Sequence, residues 1–145
     1  MKRLNERGFT MLELLIVLSI WSVLLLIVVR TPAKQIYIEQ EKAFLNTFQM
    51  DVLYVQSISM GAGDKKIKIV FKEDRYEIVK GTNNSLIKKR PIPKSFNMKM
   101  GNFHQISFDQ YGRIPKGGHF DIETPYTKYQ VIFPLGKGRC YIIEV

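Results

Sequence analysis

Across 145 residues the chain carries one cysteine, one tryptophan and two histidines. A lone cysteine, Cys140, forbids an intramolecular disulfide, so any folded domain here stands on packing alone. Its neighbours Tyr141, Ile142 and Ile143 are apolar, and the thiol reads as a small buried hydrophobe. A bridge to another subunit is the minority alternative. The histidines, His104 and His119, read as strand-end residues, and without HExxH or CxxC spacing the pattern argues against a metal site. Gly136-Lys137-Gly138 lacks the spacing of a phosphate-binding loop and reads as a hairpin turn, while Ser57 and Ser59 lack a partner base. These absences argue against an enzyme and against any cofactor.

Charge is missing most conspicuously near the start. From Phe9 to Val29, Glu13 is the single ionisable residue among 21 positions. An apolar run of that length can span a bilayer as a helix, which needs about 20 residues. A carboxylate inside such a run costs about 2.5–3.5 kcal/mol at the helix centre and less near an end, so Glu13 calls for a partner. Lys2, Arg3 and Arg7 precede the run and favour a cytoplasmic N-terminus. Arg30 and Lys34 follow it and weaken that bias, Arg30 marking the outer boundary by snorkelling. Trp21 is read as packing against lipid or neighbouring helices. A secretory signal peptide is disfavoured, because the run is too long and Arg30-Thr31-Pro32, not a small-residue cleavage site, follows it.

Pro32 predicts a kink. Helical patterning then resumes from Ala33 to about Met60. Phe44, Phe48, Val52 and Val55 recur on one face, with Tyr37 and Leu45 beside it. Gly61-Ala62-Gly63-Asp64 supplies the stop. Beyond it the pattern alternates with period two, in short runs at 66–71, 75–79, 86–87, 96–100, 105–109, 119–123, 129–133 and 139–143. Pro91 and Pro93 bar a central strand at 88–93. The expected fold is α+β: a long helix, half membrane-spanning and half amphipathic, packed on an antiparallel sheet.

The motif Arg7-Gly8-Phe9-Thr10-Met11-Leu12-Glu13, after a basic leader and before the apolar run, resembles the class III signal of type IV prepilins and pseudopilins. In the distal part, Ile106-Ser107-Phe108-Asp109, Gly112-Arg113, Gly117-Gly118 and Gly138-Arg139 resemble the C-terminal half of GspH/FimT-type minor pseudopilins. The short leader, the single cysteine and Leu135-Gly136-Lys137-Gly138-Arg139 are most similar to the ComGD-type pseudopilins of Gram-positive competence systems. The N-terminal match is specific to pilins in general, the C-terminal one is a looser pattern, and residues 35–105 add little.

The resemblance implies cleavage by a prepilin peptidase between Gly8 and Phe9, N-methylation of Phe9, and Glu13 as the acid used in subunit assembly. The freed Phe9 amine is a cation that Glu13 of a neighbouring subunit can neutralise where water is scarce. The implied divisions are a leader at 1–8, a transmembrane or filament-core helix at 9–30, an amphipathic half at 31–62 and a β-sheet head at 63–145, in the lollipop shape of pilins. The implied role is that of a minor pilin of a competence (transformation) pilus, acting in filament assembly and DNA uptake. Its partners would be other pilins, the prepilin peptidase, a polytopic membrane assembly protein and DNA. It would sit in the cell membrane with its N-terminus cytoplasmic, then in a surface filament. Two alternatives stay open: a type II secretion pseudopilin, and a membrane-tethered DNA-binding module outside any filament.

Net charge is +9, and residues 61–145 carry nearly all of the excess. Arg113 and Lys116, with Lys137 and Arg139, form one candidate DNA-contact group; Lys88, Lys89 and Arg90 form the densest basic run and a second candidate. Phosphate contact requires several cations on one accessible surface. A solvated face is the competing reading of both groups. Glu144, where some FimT-type relatives carry added basic residues, weakens the first.

Overall fold

The computed structural model describes residues 9–28, 33–61, 66–101 and 103–145. Gly8, the basic leader, Arg30 and the expected kink at Pro32 lie outside the described residues. Contacts divide the chain into two compact units, Met1–Ile36 and Tyr37–Val145.

In the first unit, helix α1 runs Met11–Val28. Thr10 opens it: its carbonyl accepts from the Leu14 N–H at 3.2 Å and its hydroxyl accepts from the Glu13 N–H at 3.3 Å. This is N-capping, in which a side-chain oxygen satisfies a backbone donor that the first turn leaves without a partner. Apolar side chains surround α1 on all sides, and Leu12, Leu15, Leu18, Trp21 and Leu25 are all more than half exposed. A helix apolar all round belongs in lipid or among other helices. Among the described residues, however, no helix is long and apolar enough to cross a membrane. The 18 residues of α1 rise about 27 Å, against a hydrocarbon core of about 30 Å.

Helix α2 runs Ala33–Met60 and leads into eight strands: β1 (Ile67–Phe71), β2 (Arg75–Lys80), β3 (Ser85–Pro91), β4 (Asn97–Lys99), β5 (Gln105–Ser107), β6 (Gly118–Glu123), β7 (Lys128–Phe133) and β8 (Tyr141–Glu144). All observed pairings are antiparallel. The single sheet expected over the head is in fact two four-stranded sheets, ordered β3-β2-β1-β5 and β4-β6-β7-β8. The chain alternates between them, placing β4 in the second sheet before β5 closes the first. Alternation in the sequence reports which side chains share a face, and says nothing of which strand each one joins.

One stripe of α2 is buried: Glu41, Leu45, Phe48, Val52, Val55 and Ser59, at spacings of four, three, four, three and four. Leu45, expected beside the face, lies in it. Phe44 is instead half-buried at the margin, edge-on to Phe96 with ring centroids 4.9 Å apart. Phe48 is 1% exposed and meets both sheets, with its ring 5.4 Å from Tyr76 on β2 and 6.1 Å from Phe120 on β6. Ile69, Ile78, Ile106, Ile122 and Val131 complete the core between helix and sheets.

Truncating Phe48 empties the point where three elements meet. Phe48→Ala is expected to lower the unfolding free energy by about 3–5 kcal/mol, measured by urea denaturation of the full chain in detergent. The exposed Met50→Ala, at 69% exposure, should leave it nearly unchanged.

Candidate functional site

The sequence points to three groups of residues, and the structure treats them differently. At the N-terminal motif, Phe9, Thr10 and Glu13 are described and all are exposed. Thr10 and Glu13 stand at N-cap and N3, the positions of the S/T-x-x-E capping signature. That signature lies within the pilin-like motif itself, where the stronger family resemblance masks it. Glu13 therefore has a local function as well, as an acid in the first helical turn where the helix dipole favours negative charge.

The run Lys88-Lys89-Arg90 is split by strand geometry. It lies on β3, an edge strand, whose register shifts at Ile78/Val79 and leaves Ile87 without a cross-strand partner. Successive side chains of a strand alternate sides. Lys88 and Arg90 turn to α2 and Lys89 turns to solvent. Lys88 Nζ lies 2.8 Å from Asp51 Oδ1 and Arg90 Nε 3.0 Å from Asp51 Oδ2. The Tyr76 hydroxyl donates to Asp51 Oδ2 at 2.9 Å. Asp51 is 3% exposed, so this is a buried carboxylate with three donors. Two of the three expected DNA-contacting cations are thus committed to fastening the edge strand to the helix. In the sequence Asp51 reads only as one of the polar residues of α2, because its partners lie 25, 37 and 39 positions away.

The other candidate group is brought together. Asp109 Oδ1 accepts from the N–H groups of Tyr111 and Arg113 at 2.9 and 2.8 Å, closing a tight loop in which Gly112 adopts φ +70°. Arg113 Nε sits 3.1 Å from Asp109 Oδ2, and its guanidinium lies 4.8 Å from the centroid of the Tyr111 ring. A second loop joins this one through backbone bonds: Ile114 N–H to the Lys137 carbonyl at 3.1 Å, and Gly136 N–H to the Ile114 carbonyl at 3.3 Å. Arg113, Lys116, Lys137 and Arg139 lie on these adjoining loops, and all four are exposed.

Gln56, which carries no signal in the sequence, anchors the pair. Its amide donates to the Gly112 carbonyl at 2.9 Å, and a Cβ on Gly138 would overlap the same amide. The glycine of the Gly138-Arg139 pattern is therefore fixed by a close approach to α2. Cys140, just beyond, is buried as expected, and burial pushes its thiol up to about 11. His104 and His119 are exposed. No group of His, Cys, Asp or Glu among the described residues could hold a metal ion.

A family model, the prokaryotic N-terminal methylation motif, matches residues 3–29. Over the length of the chain, the competence protein ComGD of Bacillus subtilis (strain 168) is 27% identical across 138 residues, covering 93% of this chain and 92% of that protein. The chain thus carries a pilin-type methylation motif and is similar along nearly its whole length to a ComGD competence protein. The α+β arrangement of a long N-terminal helical region with antiparallel sheets agrees with a pilin-type fold, and the motif points to a membrane-anchored pilus subunit. No solved structure matches.

The Asp51 cluster has a definite pH signature. Burial pushes its carboxyl up, but the hydrogen bonds from Lys88, Arg90 and Tyr76 outweigh it and hold the group below its ordinary value of 3.8. A depressed folded-state pKa gives stability that is present above the unfolded value and is lost as pH falls through the folded one. Asp51→Asn is expected to cost about 2 kcal/mol at pH 7, less than a fully buried pair would because Lys88 and Arg90 are 39% exposed. Denaturation curves against pH should show this gap between the two proteins constant from neutrality to about pH 5 and closing below about pH 4.

Proposed function

We propose that this chain is a minor pseudopilin subunit of a competence pilus, processed between Gly8 and Phe9, methylated on Phe9 and assembled through Glu13. The observation that carries this reading is the combination of the methylation motif at residues 3–29 with similarity along nearly the whole chain to a competence protein. The role is structural rather than catalytic. The chain would enter the membrane with its N-terminus cytoplasmic in a Gram-positive cell. A prepilin peptidase would release the leader, and a polytopic assembly protein would feed the subunit into a filament with other pilins. Thr10 lies beyond the cleavage point, so the helix cap survives processing. The new amine at Phe9 then sits one residue before the cap, where a neighbouring subunit's Glu13 can meet it.

Intact mass of the protein recovered from membranes tests this reading. With the peptidase present, residues 1–8 should be lost and one methyl group gained. Without it, the full chain should be recovered. An unprocessed chain in both strains refutes the pilin pathway. Glu13→Ala should leave cleavage unchanged while sharply reducing recovery in the sheared filament fraction.

DNA uptake is the finer part of the reading, and the cation cluster on the two loops favours it. Arg113, Lys116, Lys137 and Arg139 are exposed on two loops joined by backbone hydrogen bonds, with Tyr111 offering a ring at 66% exposure. Such a surface would hold DNA by its phosphates, without preference for sequence. Binding of the full chain in detergent to a random-sequence duplex should weaken steeply with salt. Replacing Arg113, Lys137 and Arg139 by alanine should lower the slope of log K against log salt by about three, at about 0.9 for each phosphate no longer neutralised. An unchanged slope assigns these cations to solvation.

A further inference from the structure

Strand β5 ends the order β3-β2-β1-β5, and among the described residues no strand pairs with its other side. Its Ser107, Ile106 and Gln105 stand opposite Lys68, Ile69 and Val70 of β1. The Phe71 N–H donates to the His104 carbonyl at 3.3 Å, and this bond sets the phase of the ladder. In an antiparallel pair, alternate residues turn both backbone groups to the same neighbour. Ile106 therefore turns its groups to β1, while Gln105 and Ser107 turn theirs outward.

Beside that open edge lies a cleft of about 380 Å³. Phe103, Ile114 and Pro115 give it apolar lining, and Gln105 and Ser107 give it polar lining. Lys116 lines it too and is one of the four exposed loop cations, so the cleft continues the basic surface. A flat group with donors and acceptors along its rim suits such a lining, and a nucleobase is one. In a duplex the faces of a base are covered by its neighbours and its pairing edge by its partner. Only an unpaired base can enter a cleft of this kind.

Tyr111 is a second and independent feature of the same loops. It is 66% exposed, and its N–H is held by Asp109 Oδ1 at 2.9 Å. The Arg113 guanidinium lies 4.8 Å from the ring centroid. The ring is thus presented to solvent from a braced loop, with a cation beside it. Exposed aromatic rings among phosphate-binding cations are the means by which proteins hold single strands, the bases stacking while the cations follow the backbone.

We propose that the basic loops take unpaired DNA in preference to duplex, with one base in the cleft beside β5 and another stacked on Tyr111. This rests on the DNA reading of those loops and adds the form of DNA that they hold.

The experiment titrates the full chain in detergent with three probes of equal length: a mixed-sequence single strand, its blunt duplex, and an abasic single strand. The intact single strand should bind about tenfold more tightly than the abasic one, which carries the same phosphates without bases. It should also bind more tightly than the duplex. Tyr111→Ala should weaken binding of the intact strand alone and leave its salt slope unchanged, because no phosphate contact is lost. Tyr111→Trp should restore the affinity. Ser107→Phe, which crowds the cleft, should likewise weaken only the intact strand. Where that variant fails to fold, the three probes on the unaltered chain and the Tyr111 variants still decide.

Equal binding of intact and abasic strands, or duplex binding as tight as single-strand binding, overturns the proposal and leaves phosphate contact by the loops in place. An equal loss on both single strands from Tyr111→Ala also overturns it, and reduces the ring to a support for Arg113. Failure of all three probes to bind removes the DNA reading itself, and this inference with it.

Discussion

The head is built on a single requirement: one face of one helix must close two sheets at once. α2 meets it with a stripe of alternating spacings, and Phe48 stands where the stripe crosses from one sheet to the other. A large rigid ring suits that place, because it presents an edge to Tyr76 on one side and to Phe120 on the other. The rest of the core is arranged around this junction, Phe71 also lying beside both rings. Both ends of the stripe are polar and each is satisfied: Ser59 bonds back to the Val55 carbonyl at 2.7 Å, and Glu41 accepts from the Tyr129 hydroxyl at 3.3 Å.

Electrostatics then does what apolar packing cannot. The edge strand β3 has exposed Leu86 and Ile87 and little buried surface. It is secured to the helix by the carboxylate of Asp51, which draws Lys88 and Arg90 inward. A buried charge of this kind is costly to desolvate, and it persists because three donors meet it. The same basic run thereby blunts the edge and fixes its position, and of its three cations only Lys89 is left to solvent.

Much of this was legible in the residues. The N-terminal motif stands out because an apolar run tolerates so few charges. The face containing Phe48, Val52 and Val55 is visible as a helical period, and the strands as alternation. Partnership was not legible. Two sheets look like one meander until pairing is known, and β3 looked too charged and too proline-bound to be seven residues of strand. Phe44 and Leu45 exchanged roles because adjacent residues on a helix differ by about 100° in direction, and only the position of Phe96 decides which turns inward. Within the candidate sites, the proximity of the two basic loops was expected from their turns. The capture of Lys88 and Arg90 by Asp51 was not, since nothing local marks a helical aspartate as buried.

The order in which the strands join their sheets carries a further consequence. Sheet one receives β1, β2 and β3, then yields the chain to β4 in sheet two, and is completed by β5 before the chain returns for β6 to β8. Neither sheet is a continuous stretch of polypeptide, so neither can mature while the other waits. A head delivered residue by residue from its N-terminal side would keep Phe48 uncovered on the β6 side until residues beyond Phe120 had emerged. Such interleaving ties both halves into one cooperative unit, in which separations of many residues must be closed together. Truncation after β5 would therefore leave a nascent chain with an open, aromatic-rich surface, the kind that quality-control proteases recognise.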